Sequence, residues 1–384
     1  MEPTTIIISH FRTGGPFLYL KELVQALYKV NYPVIFYLPE HTNIKFDNKI
    51  SFRFILKDPS THPSLLKKKI FKYPFHFFKY LYNAFVVTPP KSVKIAHLLF
   101  PFYLTDLITI HRLKRKGIKV ILTVHDILPH KSFLGGGIDK KIIREMYDIA
   151  DKLLVHTASL KKEIIELFSQ PSDKIEAVPH GYFNLPASSI DKTTLQIKYH
   201  VPQDRKILLF FGMIRENKGL DILLDVIKDL KNEYFLLITG QRAGVSEKPI
   251  EYYRDIIKKN DLSDYVHWVE RYITNGEAAE VFKVADALIL PYKKNFHAQS
   301  GVLNLAIGYE KPCVVSDVGG MGETVREYGL GIVVEPESPT ALKKGILSLF
   351  TTESSYGFKK YKEEKSWDKV CDRLIKVYEE LLIK

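Results

Sequence analysis

The chain has 384 residues, enough for two domains of ordinary size, and with 46% hydrophobic and 26% charged residues it has the make-up of a water-soluble folded protein. No apolar run approaches the roughly 18 to 20 residues a membrane span needs, and the opening MEPTTIIISH lacks the basic and apolar regions of a signal peptide, so neither a spanning nor a secreted protein is expected. The formal charge of +12 belongs entirely to the first half: residues 1–180 hold 27 Lys and Arg against 15 Asp and Glu, whereas residues 181–384 hold 29 of each.

That asymmetry predicts that the first half faces an acidic surface or ligand. Strand-like runs follow at Thr5–Ser9, Val34–Leu38, Ser51–Leu56, Val93–His97, Lys119–Val124, Leu153–His156 and Ile175–Val178, with helical patterns such as Leu18–Val30 and Lys140–Ala150 between them. Alternation of this kind predicts an α/β fold with an open parallel sheet covered by helices on both faces. The polar stretch Asn184–Asp204, with Pro186 and Pro202, interrupts the rhythm and reads as a linker. Strands then resume at Ile207, Tyr234–Thr239, Val266–Val269, Ala287–Leu290, Cys313–Ser316 and Ile332–Val334, and SWDKVCDRLIKVYEELLIK closes the chain as an amphipathic helix. Two doubly wound domains are expected, over 1–183 and over 204–365. The only cysteines, Cys313 and Cys371, sit in no CxxC or Cys/His pattern, so a reducing cytoplasm is expected and neither a disulfide framework nor a metal site.

The most informative stretch is KILLFFGMIRENKGLDILLDVI at 206–227. Lys206–Phe211 is too short for a helix and reads as a buried strand, while Leu220, Leu223, Leu224 and Ile227 recur at helical spacing. The loop between them, with Gly212, Arg215, Lys218 and Gly219, therefore lies where helix amides and dipole attract an anion. Glycine lets the backbone approach, the two cations add full charge, and a phosphate suits the place; an ordinary βα turn with solvated cations would look the same. IIISHFRTGGPFLYLKELVQAL near the start repeats the order of strand, glycine loop and helix. Two such loops facing across a cleft would let each domain hold one substrate.

At this point the sequence resembles the GT-B-fold retaining glycosyltransferases of family 4, which include sucrose synthases and many bacterial hexosyltransferases. The resemblance is carried in order by TGGPFLYLKELVQAL, TVHDILPH, DKLLVHTASLKKEI, AVPHGYF, FFGMIRENKGLDILL, LLITG, VADALILPY and QSGVLNLAIGYEKPCVVSDVGGMGE. It implies that the final helix 366–384 rejoins the first domain, that Gly14 and Gly15 form the glycine loop near the acceptor and donor phosphate, and that His125 reaches the transferred sugar. It also implies that Arg215 and Lys218 bind the donor diphosphate and stabilise the leaving charge, with Ser300, Gly301 and Val302 leading into a helix whose amides receive the distal phosphate. The anion would be a nucleotide-sugar pyrophosphate, its base near Gly240 and the Arg271, Tyr272 and Ile273 segment. Glu323 resembles a position near the donor sugar, although an exposed helix-capping carboxylate would look identical.

One departure stands out. The common pattern carries two glutamates eight positions apart, and anchoring on Pro312 puts His297 and Leu305 there, with Glu310 where the family usually has Gly. The version here resembles a subgroup that lacks the glutamates and keeps the basic pair, which leaves recognition of sugar and ribose open and His297 a candidate contact. With no DxD motif, charge on the leaving phosphate would be met by cations and helix amides, so no cofactor or metal is expected. An epimerase or hydrolase on the same fold, or a basic nucleic-acid-binding protein, are the alternatives; the first wants carboxylates around the sugar, and the second leaves the second-domain loops unexplained.

The acceptor side has its own signal. Pro59–Thr105 contains seven lysines, no acidic residue and many aromatics, as in LLKKKIFKYPFHFFKYLYNAF. A helix after Pro74 would put Phe75, Phe78, Tyr82 and Phe85 on one face and His76, Lys79 and Asn83 on another; either the aromatics are core, or the face lies on an anionic membrane. The second reading predicts a cytoplasmic, peripherally membrane-associated enzyme that extends a lipid-linked glycan for a surface polysaccharide, and no nucleic-acid partner.

Overall fold

The computed structural model describes residues 2–44, 50–57, 78–79, 81–129, 134–244, 246–351 and 355–383. It divides into two compact units, the first Met1–Gly181 with Trp367–Lys384 and the second Tyr182–Ser366.

The first unit holds a seven-stranded parallel sheet of β1 (Thr5–Ile8), β2 (Val34–Pro39), β3 (Ser51–Leu56), β4 (Ile95–Leu98), β5 (Lys119–Thr123), β6 (Lys152–Val155) and β7 (Ile175–Ala177). The spatial order is β3-β2-β1-β4-β5-β6-β7. Its helices are α1 (Gly14–Lys29), α2 (81–86), α3 (Tyr103–Arg115), α4 (Gly136–Ile149) and α5 (Ala158–Phe168). The central strands are buried on both faces, which is why they read as continuous apolar runs. Helix α1 begins at Gly14, four residues before the sequence pattern shows it, so the glycine pair lies in its first turn and not in a preceding loop; Gly14 enters with φ +76. The last helix of the chain, α14, covers Trp367–Ile383 and packs on this unit, with Tyr378 Oη 2.7 Å from His97 Nδ1 and Lys29 on Asp368 at 3.0 Å.

The second unit opens with α6 (Lys192–Lys198), followed by a six-stranded parallel sheet of β8 (Lys206–Phe211), β9 (Tyr234–Thr239), β10 (Val266–Val269), β11 (Ala287–Leu290), β12 (Cys313–Ser316) and β13 (Gly331–Val334). Its order is β10-β9-β8-β11-β12-β13. The helices are α7 (Leu220–Ile227), α8 (Ile250–Lys259), α9 (Asn275–Val284), α10 (Gly301–Gly308), α11 (Met321–Tyr328), α12 (Pro339–Thr351) and α13 (Phe358–Glu364). The stretch expected to be a bare linker is built into this unit: Asp191 caps α6, Lys192 pairs with Asp286 at 2.9 Å, and Lys198 and Tyr199 both reach Glu280. Helix periodicity over seven residues is too short to show through a polar composition.

In both sheets the chain starts near the middle, moves outward, then crosses to the other side of its first strand. The switch points are β1/β4 and β8/β11. Ligands of open α/β sheets bind outside the carboxyl ends of strands at such points. Among the described residues no helix is long and apolar enough to cross a membrane.

Candidate active site

In the second unit, β8 runs out at Phe211 and the chain turns through Gly212 at φ +99 before a short 3-10 turn, Glu216–Lys218. Gly219, at φ +66, then caps α7, whose Leu220, Leu223, Leu224 and Ile227 are buried as the periodicity required. No larger residue fits at Gly219, because a Cβ would overlap the Pro291 carbonyl at the end of β11. The loops after β8 and β11 are thus pressed together at the switch point. Gly240 is held likewise: at φ +135 its Cβ would overlap the Gly212 carbonyl, so its glycine is first a packing requirement of the β8 and β9 loops.

A Cβ on Gly212 would lie 3.2 Å from Lys218 Nζ and 3.3 Å from Val302 Cγ2, so the ammonium and the start of α10 converge on the same backbone. Ser300 caps α10 by accepting from the Leu303 N–H at 3.3 Å, and the first-turn amides of Gly301 and Val302 have no acceptor within their own helix. Tyr292 is buried beside them, with Lys218 Nζ 5.5 Å from its ring. Burial pushes its phenol up to about 12, with the Ser300 hydroxyl and the Arg215 charge pulling the other way.

Charge pairing separates these cations from their neighbours. Lys293 is bound to Asp221 at 2.9 Å, and Lys248 lies 3.5 Å from Glu216 and 3.9 Å from Asp221. Among the described residues no carboxylate pairs with Arg215 or Lys218. Lys218 is only 9% exposed, and burial, reinforced by the Arg215 charge, brings its ammonium down to about 7. An uncompensated buried cation beside a second cation and a helix N-terminus is costly on its own and is relieved by an anion.

The other candidates of this unit differ in freedom. Arg271 is committed to Glu277 at 2.5 Å, Tyr272 is exposed and Ile273 is buried just before α9, which Thr274 and Glu277 cap reciprocally. His297 is partly buried on the loop from β11 to α10, and Glu323 sits in the first turn of α11. That turn abuts the same loop: the Gly320 N–H donates to the Ala298 carbonyl at 3.2 Å. Leu305 is buried, 8% exposed. Glu310 lies at φ +54, a left-handed position that explains the usual glycine there, and its carboxylate pairs with Lys362 at 2.6 Å. Tyr292 escaped the sequence reading, although it directly follows the strand ALILP.

In the first unit, His125 follows β5 and stacks on Phe100 with ring centroids 3.8 Å apart. Tyr19 of α1 meets it edge-on at 4.8 Å and also touches His180 and Trp367 at 5.0 and 4.9 Å. His156, at the end of β6, places Nε2 2.9 Å from His125 Nδ1 and Nδ1 3.0 Å from the Val178 carbonyl. Burial, then the nearby His156, His180 and His97, hold His125 well below the ordinary range for histidine, with the Leu99 carbonyl opposing. Burial likewise lowers His156 to about 4 and His180 and His97 to about 3. A second buried group sits at the β1/β4 switch: His10 Nε2 meets both oxygens of Asp106 at 3.1 and 3.0 Å, and Asp106 accepts the Phe102 N–H at 2.8 Å. Neither His156 nor His10 was singled out by spacing, since each reads as the polar end of an apolar strand.

The aromatic segment is described only from residue 78. Lys67, Lys68, Lys69, Phe75 and His76 lie outside the described residues. Phe78, Tyr82 and Phe85 are 64%, 45% and 54% exposed, whereas Asn83 is buried and exchanges hydrogen bonds with the Lys57 backbone at 2.6 and 2.9 Å. Of this segment Asn83 faces the protein, whereas Phe78, Tyr82 and Phe85 are exposed.

These features define a two-unit, doubly wound protein with an uncompensated cationic switch point in its second unit. The description Glycosyltransferase Family 4 matches residues 13–182, and Glycosyl transferases group 1 matches residues 191–366. The chain therefore carries, in order, the two domains of a GT-B glycosyltransferase. An uncharacterized glycosyltransferase of Methanocaldococcus jannaschii is 24% identical over 241 residues, 59% of this chain and 59% of that protein. The D-inositol 3-phosphate glycosyltransferase of Thermobispora bispora is 22% identical over 288 residues, 70% of this chain and 67% of that one. The chain thus spans about half to two thirds of the curated relatives it matches. Among solved structures, sucrose-phosphate synthase from Thermosynechococcus elongatus aligns over 100% of both chains at TM-score 0.75 and 16% identity. Anabaena HepE in complex with UDP-glucose aligns over 98% and 99% at 0.73 and 12%. These structures share the GT-B fold.

Proposed function

We propose that the protein transfers a sugar from a nucleotide-diphosphate sugar to a lipid-linked glycan at an anionic membrane surface, with retention at the anomeric carbon, in the assembly of a surface polysaccharide. The observation that carries the donor half is the pair Arg215 and Lys218, left without carboxylate partners against the start of α10. The bond from the sugar C1 to the phosphate oxygen breaks, the acceptor oxygen bonds to C1, and the acceptor's hydroxyl proton leaves on the departing diphosphate. The new negative charge is met by Arg215, Lys218 and the Gly301 and Val302 amides, which supply without a metal ion the preorganised stabilisation such a step needs. The UDP-glucose bound to HepE is consistent with a nucleotide-sugar donor. Retention rests on the family resemblance alone.

The acceptor half rests on the outward aromatic face of Phe78, Tyr82 and Phe85, beside which Arg112 lies 5.2 Å from the Phe85 ring and Lys57 5.7 Å from the Tyr82 ring. Rings of this kind settle among lipid headgroups, and each nearby lysine or arginine adds about 1 kcal/mol on an anionic leaflet. Thermal protection by UDP-glucose or GDP-mannose tests the donor half, and absence of protection by any nucleotide-diphosphate sugar would refute it. Sedimentation with phosphatidylserine vesicles tests the acceptor half. The wild type should pellet at low salt, and the triple variant Phe78→Ser, Tyr82→Ser, Phe85→Ser should stay in solution; equal partitioning of the two removes the membrane from the proposal.

A further inference from the structure

Four histidines, His97, His125, His156 and His180, are gathered behind the carboxyl ends of β4 to β7, and two of them form a directed chain. The direction follows from its fixed end. The Val178 carbonyl can only accept, so the His156 nitrogen 3.0 Å away, Nδ1, must carry the proton. His156 is neutral in this environment, which leaves its Nε2 a bare lone pair. His125 Nδ1, 2.9 Å from that lone pair, must then be the donor. A neutral His125 with its proton on Nδ1 has none on Nε2, and Nε2 is a buried atom with no hydrogen-bond partner among the described residues; the Leu99 carbonyl that also acts on this ring is itself an acceptor and cannot satisfy that lone pair. Stacking on Phe100 and edge contact with Tyr19 fix the ring plane, so the nitrogen that Val178 leaves bare points one way only.

We infer that His156 is a positioning residue: through Val178 it sets the tautomer of His125, so that His125 presents Nε2 as a hydrogen-bond acceptor to a sugar hydroxyl and not as a donor. The role of the sugar hydroxyl rests on the function proposed above; the tautomer does not. A sugar with a carboxylate at the same carbon would bring a second acceptor against the lone pair and be disfavoured, as would a deoxy sugar, which leaves Nε2 unsatisfied. The second ring nitrogen of a functional histidine commonly sets the state of the first, and loss of such an orienting partner typically costs about tenfold or more.

The test uses the full chain labelled with 15N-histidine, without ligand, with His125→Gln and His156→Gln spectra assigning the two rings. At pH 7.5 both His125 and His156 should show a protonated Nδ1 and a bare Nε2. In His156→Phe, which keeps the ring volume and removes the acceptor, His125 should shift to a protonated Nε2 or a mixture, while the thermal midpoint shows that the variant is folded. In His156→Gln the amide oxygen stands near the lost Nε2, and the Nδ1–H form of His125 should return. UDP release from UDP-glucose should fall about tenfold in kcat for His156→Phe with KM little changed, and recover in His156→Gln. A wild-type His125 with its proton on Nε2, or an unchanged His125 spectrum in folded His156→Phe, overturns the inference. If the tautomers are as expected but no sugar nucleotide is turned over by the wild type, the assignment of His156 stands and the proposed function fails instead.

Discussion

Titration of Lys218 offers the sharpest check on the donor site, because its charge is poised before any ligand arrives. The free ammonium titrates near 7, with burial the larger cause and Arg215 the smaller. A pyrophosphate brings two negative charges close by. At about 4 Å and an effective dielectric of 20, one such charge is worth about 4 kcal/mol, or roughly three pKa units. The bound-state value should therefore exceed about 10. Between pH 7 and that value the complex holds a proton that the free site has lost, so binding must take one up. At pH 8 about 0.9 proton per site should be absorbed, at pH 6 about 0.1, and affinity should fall roughly tenfold for each pH unit above 7. Isothermal titration of UDP-glucose, with GDP-mannose in parallel, in two buffers of different ionisation enthalpy reads this directly, since the pyrophosphate of a sugar nucleotide has no proton to exchange near neutrality. Lys218→Ala should bind weakly and independently of pH. Uptake below about 0.3 proton at pH 8 in a chain that does bind, or the same pH profile in Lys218→Ala, would refute the reasoning. The folding linkage has a definite sign: the unfolded lysine binds a proton up to 10.5, so the cost of burying the charge is full below 7 and disappears as pH rises from 7 towards 10.5.

Removing either cation should cost turnover while sparing the fold: Arg215→Ala and Lys218→Ala are each expected to lose on the order of 2.7 to 4 kcal/mol of transition-state stabilisation. Initial rates of UDP release within threefold of wild type for both would contradict that placement. Lys218→Met should leave the ligand-free thermal midpoint unchanged or higher at pH 6.5, because an unpaired buried charge is replaced by an apolar chain of similar size; a clear drop would mean the ammonium has a partner. The histidine cluster predicts acid sensitivity of the first unit. Its folded-state values lie below the unfolded 6.5, so its contribution is intact above 6.5 and is lost as pH falls towards about 4 for His156 and about 3 for His180 and His97. His156 alone should remove on the order of 3 kcal/mol between pH 7 and 4, and denaturant midpoints of wild type and His156→Gln that fall in parallel over this range would rule it out.

The alternation of apolar runs with helical periodicity was enough to define two doubly wound units, because strands buried on both faces must be apolar throughout and their covering helices must be amphipathic. The placement of the GMIRENKG loop was equally legible, because an apolar run followed by helical spacing leaves the glycines and cations only the turn between strand and helix. The return of the last helix to the first unit followed from resemblance to a family. Short range information failed where the cause lay elsewhere in the chain. The sequence does not say that Gly219 is glycine because Pro291 presses on it, that Lys293 and Lys248 are neutralised while Lys218 is not, or that Glu310 occupies a left-handed turn and pairs with Lys362. Nor does spacing connect His125 with His156 and Val178, which follow the ends of three different strands of one sheet. Residue types and periods are properties of neighbours along the chain, whereas the pairing of charges and the tautomer of a ring depend on which distant groups the fold brings within about 3 Å.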